Sequence, residues 1–120
     1  MPQPEPKLET VHVEYGPSTG LRAAPDPAQV KRGTRVQWVF DLRQAPPEEL
    51  DVRVVFREAS PFFDRRDGRQ FRTRVRGGTL AAVEAGPAEV PGDYKYDLVI
   101  DRADSGRTFI EVDPHLIVFD

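Results

Sequence analysis

The chain has 120 residues, 17 basic and 20 acidic, with a net charge of −3 and 38% hydrophobic composition. That is the size of one domain, enough to bury about two-thirds of its unfolded surface without covalent staples. The absence of cysteine excludes disulfides, thiolate metal sites and cysteine nucleophiles, and the acidic balance argues against non-specific attraction to nucleic acid or anionic lipid.

Residues 1–7, Met1-Pro2-Gln3-Pro4-Glu5-Pro6-Lys7, alternate proline with polar residues and are expected to form an extended, disordered arm outside the core. They show neither the basic nor the apolar region of a secretory leader, and no later run approaches the length of a membrane span. A soluble, cytoplasmic protein is therefore expected, although an exported chain trimmed of its leader would read the same way.

Residues 8–120 are expected to form one domain. In Leu8 to Tyr15 the apolar Val11, Val13 and Tyr15 alternate with Thr10, His12 and Glu14, the pattern of a half-buried strand. Gly16 to Gly20 is a turn, and Leu21 to Ala24 is a short extended piece that ends at Pro25-Asp26-Pro27. Lys31-Arg32-Gly33-Thr34 launches the next strand, in which Val36, Trp38 and Phe40 face inward. After Pro46-Pro47, residues Leu50, Val52, Val54 and Phe56 repeat the two-residue period. Ser60-Pro61-Phe62-Phe63-Asp64 places an aromatic pair in a loop, where it either caps the core or forms an exposed contact patch. Phe71, Thr73 and Val75 alternate with Arg72, Arg74 and Arg76. Thr79 to Ala85 reads as a strand, and residues 79–90 are also where a short helix is tolerated. Residues 93–101, 108–112 and 115–119 complete the set. Seven to nine short strands without interposed helices predict an all-β, antiparallel two-sheet Greek-key sandwich.

Three segments refine the connectivity. Val30-Lys31-Arg32-Gly33-Thr34-Arg35-Val36-Gln37-Trp38, Pro91-Gly92-Asp93-Tyr94-Lys95-Tyr96-Asp97-Leu98 and the closing Asp113-Pro114-His115-Leu116-Ile117-Val118 together resemble the cupredoxin superfamily, the sandwich fold of plastocyanin- and azurin-type copper proteins. The resemblance spans about residues 28–42 and 91–119 and implies a cupredoxin-like sandwich; the alternative is an immunoglobulin- or fibronectin-like one. It also implies where the copper thiolate would stand, two residues beyond the second aromatic, and there this chain has Leu98. A blue-copper centre takes two imidazoles and a thiolate, whereas the chain offers only His12 and His115. A copper-free member without cofactor or metal is thus expected.

Other chemistry is sparse. The chain contains no Gly-x-Ser-x-Gly, no phosphate-binding Gly-Lys-Ser/Thr loop and no His-Glu-x-x-His, so no catalytic residue is assigned and a non-enzymatic protein is expected. Asp93, Asp97 and Asp101 share a strand face but spread over about 25 Å, too far to converge on one cation. Fourteen of the seventeen cations are arginine, and Arg65, Arg66, Arg69, Arg72, Arg74 and Arg76 form a stripe able to hold an anion or an acidic partner segment. The plainer reading pairs Arg72, Arg74 and Arg76 across strands with Asp51, Asp97 or Asp101 on a solvated face. The function expected is a protein-interaction or self-association module using an edge strand, a sheet face or the Phe62-Phe63 loop. The alternative is an anion- or carbohydrate-binding accessory domain using the arginine stripe.

Overall fold

A computed structural model describes residues 7–62 and 69–120 of the chain. Period-two alternation of apolar and polar side chains produces ten strands and no helix among these residues. In chain order they are β1 (Leu8–Gly16), β2 (Gly20–Ala24), β3 (Ala28–Lys31), β4 (Arg35–Asp41), β5 (Glu49–Phe56), β6 (Gln70–Arg76), β7 (Leu80–Pro87), β8 (Gly92–Arg102), β9 (Thr108–Val112) and β10 (His115–Phe119). The stretch that tolerated a helix is strand β7. Of the arm read from the sequence, residues 1–6 lie outside the described residues, and the Lys7 carbonyl accepts from the Arg35 N–H at 2.8 Å.

The strands form two sheets, one in the order β2-β1-β4-β7 and the other β3-β10-β8-β5-β6, with β9 also paired to β8. The expected sandwich is present, but its pairing is mixed rather than purely antiparallel. β1 runs parallel to β4 from Leu8↔Arg35 to Glu14↔Asp41, and β3 runs parallel to β10 from Leu116↔Ala28 to Phe119↔Lys31. Alternation dictates which face a residue occupies, not the direction of its neighbour, so parallel pairs left no mark in the pattern.

Between the sheets lies a core built from the inward residues of every long strand, including Val11, Val13, Val36, Phe40, Leu50, Val52, Leu98, Ile100 and Leu116, all fully buried. At its centre Trp38 is surrounded by Phe56, Phe62, Phe71 and Tyr96, with ring centroids 5.7 to 6.4 Å away. The Trp38 indole N–H donates to the Tyr96 hydroxyl at 3.1 Å. Because Trp38 belongs to β4 and Tyr96 to β8, this bond joins the two layers. Burial drives the Tyr96 hydroxyl's pKa far above its ordinary value, so tyrosinate is excluded from the core.

β8 organises the larger sheet. One flank pairs with β5 from Phe56↔Tyr96 to Leu50↔Arg102. The other carries two partial strands end to end, β10 against residues 92–95 and β9 against residues 98–101. Asp113-Pro114 marks the break, where proline has no N–H to give a ladder, and the Pro114 carbonyl still accepts from Tyr96 N–H at 3.2 Å.

Candidate functional site

The outward residues of β6, β5 and β8 lie side by side on the larger sheet. Strand alternation turns Phe71, Val52, Val54, Tyr96 and Leu98 inward, which forces Arg72, Arg74, Asp51, Arg53, Asp97 and Asp101 outward. Cross-strand register then decides the pairing. Asp51 stands opposite Arg74 on β6 and opposite Asp101 on β8. Arg74 Nε donates to Asp51 at 3.0 Å, and this hydrogen bond lifts the arginine pKa above its ordinary value. Asp101 is held by Arg53 Nε at 2.8 Å and by the Thr108 hydroxyl at 3.1 Å. Each carboxylate of the Asp51–Asp101 opposition thus has its own cation, which removes the repulsion a bare like-charge pair would carry.

A second group continues the lattice toward β9 and β10. Arg57 grips both oxygens of Asp97, at 2.7 and 3.0 Å, and reaches Asp113 at 3.6 Å. Lys95 lies 3.3 Å from Asp113 and pulls its carboxyl below the usual carboxylate range. His115 Nδ1 is 3.1 Å from Asp93. Two clefts of about 290 and 390 Å3 share Arg57 in their lining, but its guanidinium is committed to these acids.

The sequence-derived site residues separate. Arg74 takes Asp51, one of the pairings anticipated for the stripe. Asp97 and Asp101 do not pair with the stripe, because β5 lies between β6 and β8 and puts them two strand spacings away, about 9.6 Å; Arg57 and Arg53 hold them instead. Arg69 is drawn into the fold, its guanidinium donating to the carbonyls of Phe56 and Arg57. Arg65, Arg66 and Phe63 lie outside the described residues. Phe62 is 3% exposed and packs against Trp38, Phe56 and Phe71. It is the core cap of the two roles foreseen, not part of an exposed contact patch.

Arg72 and Arg76 remain. Arg76 stands across from Glu49, and Arg72 stands across from another cation, Arg53, whose Nε is already given to Asp101. Neither Arg72 nor Arg76 makes an ion pair with any described residue. Both are exposed, and both sit on β6, the terminal strand of its sheet. Sequence reasoning found the stripe but could not single out these two, since the choice depends on which strand lies between cation and acid.

The residues present do not fit a blue-copper centre. Leu98, at the position of the copper thiolate, is fully buried and ladder-paired with Val54 and Val112, and the strand continues unbroken past it to Arg102. His12 lies on the outer face of the smaller sheet and His115 on the outer face of the larger, so the sandwich separates them. No group of three or more potential metal-ligating side chains converges among the described residues.

No family model and no curated protein matches the chain. Among solved structures, the fold is similar to that of auracyanin B, with 14% sequence identity, a TM-score of 0.55, and coverage of 98% of this chain and 93% of that one. Auracyanin B is a cupredoxin; the likeness, at this identity, is one of fold, and the chain has a cupredoxin-like β-sandwich.

Proposed function

We infer that the chain is a non-enzymatic, copper-free binding module of cupredoxin-like fold whose β6 rim contacts an acidic polypeptide. The observation that carries this reading is local. On a sheet face where Arg53, Arg57, Arg74 and Lys95 are matched to acids, Arg72 and Arg76 are exposed without an ion-pair partner among the described residues. Surplus arginines on a strand edge provide planar, bidentate donors for carboxylates. A second copy of the chain is a poor occupant of this edge, because β6 laid against β6 sets arginine beside arginine.

The test is retention on immobilised poly-glutamate and on heparin, with the native chain and an Arg72→Ser/Arg76→Ser double variant. Salt-sensitive retention on poly-glutamate that the double variant loses supports the reading. Equal retention of both proteins overturns it, and binding to heparin alone replaces it with an anion- or carbohydrate-binding role.

A further inference from the structure

Resting on that reading, we propose that the partner docks as an added strand along β6, with acidic residues at every second position of an extended segment. The ladder joining β5 and β6 fixes which way each main-chain group of β6 points. Phe56 N–H donates to the Arg69 carbonyl at 2.7 Å, and Gly77 N–H donates to the Glu48 carbonyl at 2.9 Å. In an antiparallel pair, main-chain groups point alternately toward and away from the partner strand. With both ends of the ladder bonded at odd-numbered residues of the β6 segment, Phe71, Thr73 and Val75 aim their main chain at β5. Arg72 and Arg74 aim theirs away from the sheet, and no strand lies on that side among the described residues. The end of the free stretch is set by Arg76, whose carbonyl accepts from the Thr79 hydroxyl at 2.6 Å.

The same residues therefore offer open backbone hydrogen-bonding groups and cationic side chains. An incoming strand would bond the main chain of Arg72 and Arg74, as in strand-addition recognition. Its side chains on the outer face would meet Arg72, Arg74 and Arg76, and those on the inner face would lie beside Thr73 and Val75, which are half-buried. Arg72 and Arg76 are separated by about 13 Å along the strand. The fitting segment thus carries acids two and four residues apart, interleaved with small or β-branched residues. Charged edges commonly discourage strand pairing. Here the charge discourages like-charged edges and leaves an acidic strand as the complementary one.

Two synthetic peptides of identical composition test this, one alternating glutamate with threonine and one with the glutamates in a single block. The alternating peptide is expected to bind the native chain about tenfold more tightly, the sum of two modest cross-strand pairs at Arg72 and Arg76, and to slow hydrogen exchange at the Arg72 and Arg74 amides. N-methylating one alternate set of its residues should abolish binding, while methylating the other set should not. Equal binding of both peptides, with exchange at Arg72 and Arg74 unchanged, overturns strand addition while leaving poly-glutamate retention intact. Failure of the native chain to be retained on poly-glutamate in the first experiment removes the binding site and this mode with it.

Discussion

The turn between β6 and β7 contains adjacent glycines that should respond to alanine for different reasons. A Cβ at Gly77 would stand 2.7 Å from the Pro46 carbonyl carbon, still closer to its oxygen, and 3.3 Å from the Ala45 carbonyl oxygen. All are backbone atoms that cannot rotate away. Relief requires the Ala45-Pro46 segment and the β6 end to part, which breaks the bonds from Gly77 N–H to Glu48 and from Glu48 N–H to Pro46, 2.9 and 2.8 Å long. Overpacking costs about 1–3 kcal/mol and each lost hydrogen bond about 1 kcal/mol, so Gly77→Ala should cost about 3–5 kcal/mol. Gly78 has open space around it but a φ of 92°, so Gly78→Ala carries only the left-handed backbone penalty of about 1–2 kcal/mol. Against a total of about 6–18 kcal/mol for a chain this long, the first loss is a large fraction. Urea unfolding followed by circular dichroism should give midpoints in the order native, Gly78→Ala, Gly77→Ala, with unchanged slopes for the variants. A Gly77→Ala protein as stable as Gly78→Ala would refute the close approach of Pro46 to β6.

Further expectations concern the core and the rim. Tyr96→Phe leaves the buried Trp38 N–H without an acceptor and should lower stability by about 1–3 kcal/mol, measured by the same unfolding curves. Because burial raises the Tyr96 pKa, its stabilising contribution is complete below pH 10, and above it the unfolded chain ionises while the folded one does not. The native protein should therefore lose up to about 1.4 kcal/mol per pH unit in that range from this residue, and Tyr96→Phe should remove that part of the slope. Phe62→Ala should cost about 3–5 kcal/mol, the penalty of a core aromatic; a loss below about 1 kcal/mol would return this residue to the surface. Arg72→Ser should leave stability within about 0.5 kcal/mol of native or raise it slightly by relieving the opposition to Arg53, while weakening poly-glutamate retention.

What the sequence made legible follows from the physics of alternation. Val36-x-Trp38-x-Phe40 and Tyr94-x-Tyr96-x-Leu98 announced their faces, and all six residues are buried or half-buried against the core. β3 was hidden because Ala28-Gln29-Val30-Lys31, pressed between Pro27 and Gly33, offers only two inward residues, too few to show a period. The fate of Phe62 depended on the path of its loop through space, which local pattern does not encode. Among the described residues, the stripe's division into engaged Arg69 and Arg74 and unmatched Arg72 and Arg76 likewise came from the three-dimensional arrangement of strands. Charge pattern identifies candidates for pairing; the intervening β5 decides which acids a β6 arginine can reach.

The single bond linking Trp38 to Tyr96 has a practical side. With one tryptophan in the entire polypeptide, ultraviolet emission comes essentially from a ring wedged at the seam of the layers, so a shift toward longer wavelengths would register the seam opening. Followed alongside amide exchange at β6, it would tell an investigator whether a bound ligand merely coats the periphery or pries the halves apart, with no dye or label attached.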